Sequence, residues 1–370
     1  MGLNKYRLGD YIERSTANNR TLKYKENLIV GVTSDGVFST PKGNVNGVDL
    51  VPYKIVNNGD FVYNPSRFDL GSIAYRTEGL CIVSHLYQIF RLNEKGKEKI
   101  DPIWLFIYLR RKEFRREVTF RNFGSQRPEF NFNDLSEIVL PLPSIQQQRK
   151  YVDVYLALQS NLAVYQSKAD ELKLVCDGYI DQLKVKIPKQ KIGNLLETVD
   201  KRNSELTYTG VQGININKTF FPTVANIDEG STRNYKVVEH NQFAFSGMQT
   251  GRDMCIRIAL NEESKPVIIS PAYTVFRIKD DNVVLSHYIM LWFSRKQIDR
   301  YGWFASDGSI RSNLDLERFF EMEIPIPDIS VQRQIVNIHK CYIERQRIAD
   351  ALKEQINNIC PVLIRGSLNN

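Results

Sequence analysis

The sequence contains few of the residues that build metal sites and disulfide frameworks. Among 370 residues there are four dispersed histidines and five cysteines, an odd number with no CxxC pair. Zinc sites and disulfide scaffolds need paired or closely spaced ligands, so neither is expected, and a reducing cytoplasm is favoured. No apolar run approaches the roughly 18 residues of a membrane span. The first five residues do not resemble a signal peptide, so we expect a cytoplasmic protein without a membrane partner.

The motifs of common enzyme classes are also missing. The sequence has no GxxxxGK[ST] phosphate loop and no GxGxxG dinucleotide fingerprint. Asn64-Pro65-Ser66-Arg67 is the nearest match to the Asn/Asp-Pro-Pro-aromatic loop of adenine methyltransferases, but it lacks the second proline and the aromatic residue. The ExK spacings at 171–173 and 263–265 are short patterns that arise by chance. We therefore predict no catalytic residue, no metal site and no cofactor bound by this chain.

Composition describes an ordinary globular protein with a basic charge. Hydrophobic residues make up 42% of the chain and charged residues 25%, with a formal net charge of +8. A chain of this length is expected to form two or more domains. The positive charge favours an anionic partner, for which nucleic acid is the usual choice.

The most informative feature is an internal duplication. Leu140-Pro141-Leu142-Pro143-Ser144-Ile145, followed by Gln148-Arg149, recurs as Ile324-Pro325-Ile326-Pro327-Asp328-Ile329, followed by Gln332-Arg333. Apolar positions elsewhere keep nearly the same offset while polar residues differ; the matched segments are 5–9 with 189–193, 53–56 with 235–238, 61–63 with 243–245, 83–91 with 269–277, and 124–127 with 308–311. A repeat of this length marks a duplicated domain.

Each copy reads as a compact α+β module. Residues 61–63, 72–75 and 86–90 have the composition of short strands, and turn signals separate them. Asp101-Pro102 opens a predicted helix over 103–109, and residues 285–293 occupy the same place in the second copy.

A helix with a heptad pattern follows each module. Apolar residues recur every seven positions from Tyr155 to Leu183, a spacing typical of a coiled coil. The predicted seam comprises Tyr155, Leu158, Leu162, Tyr165, Ala169, Leu172, Cys176, Tyr179 and Leu183, with Ile338, Tyr342, Ala349, Leu352, Ile356, Ile359 and Leu363 on the second helix. The apolar seam of each helix could pack on its own module, or the two helices could pack antiparallel on each other. Pro361 is expected to bend the second helix near its end.

The duplicated order resembles the DNA-specificity subunit of type I restriction-modification systems. The two Leu/Ile-Pro-Leu/Ile-Pro elements with Gln-Arg carry the resemblance, together with the long helices and the two divergent modules. The second copy has Asn241-Gln242 where the first has Gly59-Asp60, which leaves its local turn open.

The resemblance implies an α+β fold with two tandem target recognition domains, and two long helices that form an antiparallel coiled coil. The implied boundaries are 1–143 and 188–327 for the two recognition domains, and 144–187 and 328–370 for the helices. In that family each domain reads one half of a bipartite, asymmetric double-stranded DNA site. The helices set the spacing and dock two adenine-N6 methyltransferase subunits that carry S-adenosylmethionine. A restriction subunit, which is a motor and nuclease, joins in some systems, and the specificity subunit itself is not catalytic.

Three polar loops per module are the predicted DNA-contacting segments, because base edges and phosphates are read by Arg, Lys, Asn, Gln, Ser and Thr. The first module supplies Asn18, Asn19, Arg20, Lys23, Lys25, Asn64, Arg67, Arg121, Asn122, Gln126 and Arg127. The second supplies Lys201, Arg202, Asn203, Gln249, Thr250, Arg252, Ser309, Arg311 and Asn313. Polar loops are exposed by default, so for any single residue simple solvation is the competing explanation.

Two other classes of function compete with this interpretation. One is a divergent stand-alone methyltransferase or nuclease, which the missing motifs disfavour. The other is a coiled-coil scaffold whose basic modules bind DNA without sequence preference. Substitutions in the third loop would separate phosphate contacts from base readout. Arg127→Ala should weaken binding to all sequences, and Gln126→Ala should relax discrimination in one half-site.

Overall fold

The chain divides into two compact units, each with its own core. The structure, a computed structural model, describes residues 4–41, 43–121, 129–223, 229–248, 250–307 and 312–368. The first unit comprises Met1–Val164 and Ala349–Asn370, and the second comprises Tyr165–Ile348. Each unit therefore contains one module together with half of each long helix.

The first unit begins with ten short strands and four helices. The strands are β1 Lys5–Arg7, β2 Ile12–Arg14, β3 Gly31–Val32, β4 Phe38–Ser39, β5 Lys54–Val56, β6 Phe61–Tyr63, β7 Ile73–Tyr75, β8 Cys81–Val83, β9 Gln88–Leu92 and β10 Val139–Pro141. The helices are α1 Glu94–Lys99, α2 Pro102–Arg110, α3 Lys112–Arg121 and α4 Phe132–Ser136, followed by the long helix α5 Ile145–Lys186. Single 3₁₀ turns lie at Leu8–Asp10, Glu26–Leu28 and Pro65–Arg67.

The second unit repeats this order. Its strands are β11 Lys189–Lys191, β12 Leu196–Val199, β13 Val211–Ile214, β14 Phe220–Pro222, β15 Lys236–Val238, β16 Phe243–Ser246, β17 Arg257–Leu260, β18 Val267–Ile269, β19 Thr274–Ile278 and β20 Glu323–Pro325. Its helices are α6 Ile192–Leu195, α7 Thr250–Asp253, α8 Ser286–Phe293, α9 Lys296–Ala305 and α10 Leu316–Phe320, followed by the long helix α11 Ile329–Leu368, with a 3₁₀ segment at Glu229–Asn234.

The sheets of the two units have the same topology. Four antiparallel strands follow the order β2-β9-β6-β7 in the first unit and β12-β19-β16-β17 in the second. The central register pairs Phe61 with Phe90 and Phe243 with Phe276. A second pairing, β5 with β8, corresponds to β15 with β18, which in the second unit is extended by β13 and β14. The duplication and the α+β class predicted from the sequence are confirmed.

The paired-proline motif closes each module on its own beginning. In the first unit β1 pairs antiparallel with β10, so Tyr6 lies opposite Leu140. In the second unit β11 pairs with β20, so Gln190 lies opposite Ile324. The segment matched at 5–9 and 189–193 and the paired-proline motif are therefore the first and last strands of one module, joined by backbone hydrogen bonds.

The glutamine of the motif is a buried brace. Gln148 has no exposed surface; its Nε2 donates to the carbonyls of Lys99 and Pro143, and its Oε1 accepts from the backbone N–H of Asp101. This carboxamide ties the start of α5 to the start of α2. It satisfies three backbone groups that would otherwise be buried without partners.

The second copy uses the same brace. Gln332 is also fully buried and bonds to the carbonyls of Val283 and Pro327 and to the N–H of Leu285. Two identical side chains in identical roles explain why a glutamine follows the prolines in both halves.

The turn at Gly59-Asp60 is retained in the second copy. Gly59 has φ +90° and Asn241 has φ +60°, a left-handed conformation that asparagine tolerates better than most residues. The next side chain closes the turn in both cases: Asp60 Oδ2 accepts from the N–H of Asn57, and Gln242 Oε1 accepts from the N–H of Glu239. The substitution left open by the sequence therefore does not alter the turn.

Aromatic side chains dominate both cores. Trp104, Tyr63 and Phe114 are fully buried in the first unit, and Trp292 and Phe319 are buried in the second. Burying an aromatic side chain of this size stabilises the fold by roughly 2–3 kcal/mol. The long helices contribute too, through Val152 and Ile364 in the first unit and through Ile180, Leu183, Ile335 and Val336 in the second.

The two long helices run antiparallel within the first unit. A Cβ atom on Gly366 would lie 2.8 Å from the ring of Tyr151, so these residues face each other. Burial, and then the neighbouring Cys360, raise the pKa of Tyr155. As residue numbers rise along α5, those of the facing residues fall along α11.

The second unit shows the same direction of pairing. The pKa of Glu171 is lowered first by its hydrogen bond to Lys168 and more weakly by Arg345, which lies across from it. Burial lowers the pKa of His339, and the charge that opposes this shift most is Asp177 on α5. The predicted antiparallel pairing is confirmed in each unit.

One residue near the end of the predicted seam is wrong. Ile180 is 1% exposed, whereas Tyr179 is 39% exposed. Leu183, the last predicted seam residue, is buried, and both it and Ile180 pack in the core of the second unit. The second helix continues through Pro361 to Leu368.

Candidate nucleic-acid interface

The first predicted loop is built around a buried asparagine in each unit. Asn19 is fully buried; its Nδ2 donates to the carbonyl of Tyr24, and its Oδ1 accepts from the N–H of the same residue. Asn203, 2% exposed, makes the same pair of bonds with Tyr208. Both side chains are used inside the protein, which corrects the prediction that they contact DNA.

The residue before each of these buried asparagines differs between the copies. Asn18 forms an isolated β-bridge with Lys54, and Arg202 forms the equivalent bridge with Lys236. Backbone positions therefore correspond one to one while the side chain changes from an amide to a guanidinium. Arg202 is held by an ion pair with Asp200 at 2.7 Å.

The remaining residues of the first loop are exposed cations. In the first unit these are Arg20, Lys23 and Lys25. In the second, Lys201 is exposed and pairs with Glu239 at 2.5 Å, which raises the pKa of the lysine.

A basic cluster beside this loop was missed in the sequence. Arg14, at the end of β2, donates from Nη2 to Oε1 of Gln88 on β9 at 2.9 Å. Lys54 lies nearby with its Nζ 2.5 Å from the carbonyl oxygen of Tyr87. Burial lowers the pKa of Lys54, and the charge of Arg14 lowers it further. Two cations and an amide therefore meet on strands that are far apart in sequence, which only the pairing register reveals.

The same lysine recurs in the second unit with different neighbours. Lys236 Nζ donates to the carbonyl of Tyr273 at 2.7 Å, and burial lowers its pKa while Asp200 acts in the opposite direction. Thr198 occupies the strand position of Arg14, since it faces Phe276 as Arg14 faces Phe90. The lysine is shared, and the residues around it are not.

The second predicted loop follows the central strand of each sheet. Asn64 caps the 3₁₀ turn by accepting from the N–H of Ser66, and it leaves Arg67 exposed. Arg67 lines a cleft of about 560 Å³ that also includes Tyr53 and Tyr87. Tyr87, whose carbonyl accepts from Lys54 of the basic cluster, thus lines the same cleft as Arg67 of the second loop.

In the second unit this loop has one buried and one exposed candidate. Thr250 is fully buried and donates from Oγ1 to the carbonyl of Gly247, which corrects its assignment as a DNA contact. Arg252 is exposed on the short helix that follows.

The third loop lies mostly outside the described residues. Asn122, Gln126, Arg127, Ser309 and Arg311 all lie outside them, as does Gln249 of the second loop. Arg121 is described; it is exposed and pairs with Glu117 at 3.0 Å. Asn313 is half-buried, and its backbone N–H donates to Oδ1 of Asp307.

The described part of the chain has neither a cluster of metal ligands nor a helix suited to a membrane. No group of three or more His, Cys, Asp or Glu side chains is arranged to hold a metal ion among the described residues. The helices described here include none with both the length and the apolar character required to cross a bilayer.

Three solved structures to which this chain is similar come from restriction-modification systems. The S subunit of a Type-I restriction-modification system from M. genitalium matches with 13% identity and a TM-score of 0.62, covering 100% of this chain and 97% of that one. The HsdS subunit from Thermoanaerobacter tengcongensis matches with 15% identity and a TM-score of 0.40, covering 100% and 97%. A chain from a type I R-M system, described for complex assembly and conformational transition, matches with 15% identity and a TM-score of 0.49, covering 99% and 98%. The similarity to the M. genitalium protein shows a shared fold.

A match to a family model shows the family to which this chain belongs. No curated protein matches the sequence. The model of the type I restriction modification DNA specificity domain matches residues 2–174 and 236–358, which is most of the chain and includes parts of both modules. With its duplicated α+β units and antiparallel long helices, this chain belongs to the type I restriction modification DNA specificity family.

Proposed function

We propose that the chain is the non-catalytic subunit that reads DNA sequence for a type I restriction-modification complex. Each module reads one half of a bipartite, asymmetric double-stranded site. The net charge of +8 suits a polyanionic partner, since phosphate contacts supply most of the sequence-independent affinity of such proteins.

The observation that carries the proposal is the contrast between the two buried asparagines of the first loop and the residues that precede them. Asn19 and Asn203 are identical, buried and bonded alike, whereas the adjacent positions hold Asn18 in one copy and Arg202 in the other. An asparagine suits the N6 and N7 edge of adenine, and an arginine suits the O6 and N7 edge of guanine. Two scaffolds of one design with different polar residues are what two different half-sites require.

We further propose that the long helices dock adenine-N6 methyltransferase subunits. Apolar side chains stand exposed on them outside the seam: Val154, Leu156 and Val164 in the first unit, and Leu174, Val175, Val185 and Ile343 in the second. Exposed apolar surface of this extent on a soluble protein marks a surface for a protein partner. The methyltransferase would carry S-adenosylmethionine, and a restriction subunit would join the same assembly where one exists.

The decisive experiment is a map of N6-methyladenine in a methylation-free bacterial host. The host expresses this chain with its partner methyltransferase, beside a control that lacks this chain. We expect a new split motif that disappears in the control. Arg14→Ala should then degrade one half of the motif, and Arg252→Ala the other half.

The opposite results are equally informative. If both substitutions alter the same half-site, the assignment of one module to one half-site is wrong. If the two proteins associate and no motif appears, a scaffold that binds DNA without sequence preference becomes the better description.

A further inference from the structure

Helices α3 and α9 are equivalent, and they share one identical face. Both contain ten residues and follow the same place in the repeat. Three of the ten positions are identical in the two copies: Lys112, Arg116 and Phe120 match Lys296, Arg300 and Phe304. The spacing of four places each set on one face of its helix. We name this face the Lys–Arg–Phe stripe.

The stripe points away from the core in both units. Phe114 and Val118, the buried residues of α3, lie between the stripe positions, about 200° around the helix axis. All six stripe residues are exposed, and the phenylalanines are among the most exposed in the protein, at 82% for Phe120 and 81% for Phe304. Packing therefore does not explain why these residues are retained.

Retention on this face contrasts with divergence everywhere else on the two helices. Even the buried positions differ, with Phe114 and Val118 replaced by Ile298 and Gly302. Exposed neighbours change as well, from Thr119 to Trp303. In a duplicated chain whose surfaces have diverged, an identical exposed face indicates a function that both modules perform in the same way.

The cations of the stripe are free to bind a partner. Among the described residues, none of Lys112, Arg116, Lys296 and Arg300 forms an ion pair. Other cations on α3 are used internally: Arg115 donates to the carbonyl of Asp69, and Arg121 pairs with Glu117. Two unpaired cations and an exposed aromatic ring, one helical turn apart from each other, form a surface complementary to a polyanion with apolar faces.

We propose that the Lys–Arg–Phe stripe of each module is a sequence-independent DNA clamp. Its lysine and arginine contact phosphates, and its phenyl ring packs against the deoxyribose and base edges of the adjoining groove. The backbone of DNA is the same at both half-sites while the bases differ, so identical residues suit the backbone and divergent residues suit the bases. The inference rests on the proposed function, because it assumes that both modules bind DNA.

The test uses the full chain purified with its methyltransferase partner. Arg116→Gln and Arg300→Gln are combined, and binding is titrated over a salt series with two duplexes, one carrying the mapped motif and one with both half-sites scrambled. We expect the slope of log Kd against log salt to fall by about 2, since each lost phosphate contact removes about 0.9. The two duplexes should lose affinity equally.

Two further variants separate the roles of charge and ring. Phe120→Ala with Phe304→Ala should weaken binding about tenfold with the salt slope unchanged, because the ring contributes no charge. Lys97→Gln with Lys191→Gln is the matched control, since it removes two positive charges, one from each module, that are ion-paired with Glu94 and Glu321. This control should leave the salt slope as it is in the wild type.

Three results would overturn the clamp. The first is an unchanged salt slope in the arginine variant, and the second is a loss confined to the duplex with the motif. The third is loss of methyltransferase co-elution with DNA affinity intact, which would make the stripe a protein-docking surface. Failure of the proposed function is a separate result: the wild type would bind both duplexes equally, whatever the stripe variants do.

Discussion

At the residue scale, the structure separates side chains that build the modules from side chains free to recognise a partner. Gln148 and Gln332, like Asn19 and Asn203, are polar residues whose groups are used up by the backbone around them. Their identity between copies reflects the requirement that buried polar groups be hydrogen-bonded.

The first prediction concerns the buried glutamine. Gln148→Ala should lower the free energy of unfolding of the first unit by about 2 to 4 kcal/mol, because it leaves buried backbone groups of Lys99, Asp101 and Pro143 without partners. Urea unfolding followed by circular dichroism measures the change. Gln146→Ala, at an exposed position of the same helix, is the control and should leave the midpoint nearly unchanged.

The second prediction is a pH dependence that arises at His339. Burial lowers the pKa of this imidazole; Asp177 and Glu262 oppose the shift, and His287 and Lys173 reinforce it. As the pH falls through about 6.5, the unfolded chain takes up a proton that the folded chain takes up only at lower pH. The unfolded state then binds more protons, so the free energy of unfolding decreases.

Replacing this histidine should remove part of that decrease. His339→Gln should lose less stability than the wild type between about pH 7 and pH 5 in thermal unfolding experiments. His85→Gln, at an exposed position of the first unit, should follow the wild-type curve. A wild-type pH profile from His339→Gln would show that another group carries the dependence.

At the element scale, the two units reach one design by different means. Asp101 caps α2 by accepting from the N–H groups of Ile103 and Trp104. The equivalent helix α8 has Leu285 at its N-cap and no side-chain cap, so its start keeps only the bond to the buried glutamine that both units share.

This difference predicts an effect confined to one unit. Asp101→Ala should destabilise the first unit by about 1 kcal/mol, since it removes the only side-chain acceptor for two N–H groups at the start of α2 among the described residues. Asp101→Asn keeps an acceptor oxygen and should retain most of the stability. Equal losses in the two variants, measured by urea unfolding, would mean that the charge and not the hydrogen bonds matters.

The elements were largely predictable from the sequence, because apolar periodicity and the 184-residue offset mark them directly. Helix 103–109 and its partner at 285–293 correspond to α2 and α8. The site was less predictable. Asn19 and Asn203 look like any polar loop residues in sequence, and only the backbone groups around them show that they are buried braces.

Other features depended on register and helix geometry. Arg14, Lys54 and Gln88 come together through strand pairing, which no local pattern encodes. Ile180 is buried where Tyr179 was predicted, because it packs into the core of the second unit, which the heptad pattern does not encode. The Lys–Arg–Phe stripe did leave a signal, since three identical residues at a spacing of four are visible when the copies are aligned.

At the scale of the whole molecule, the first unit is discontinuous. It is completed by residues 349–370, which bring Ile364 into its core and place Ser367 within hydrogen-bonding distance of Trp104, with 3.0 Å between Nε1 and Oγ. The second unit is one uninterrupted segment, residues 165–348.

Truncation after Ile348 should therefore destabilise the first unit, most of which lies at the other end of the sequence. Limited proteolysis of the truncated protein is expected to cleave within residues 1–164 early, because the core of the first unit has lost its C-terminal helix. Residues of the second module should resist as in the full chain. Cleavage that begins in the second module would contradict this division.

The same discontinuity determines the order in which the two units can complete folding during translation. A ribosome releases the first module long before it makes the segment that completes it, whereas the second unit emerges whole. The module that is translated first is thus the last to be finished, and in the interval it depends on chaperones or on its own marginal stability. A nonsense codon shortly after Ile348 would therefore damage the folding of residues 1–164, which precede it by most of the sequence.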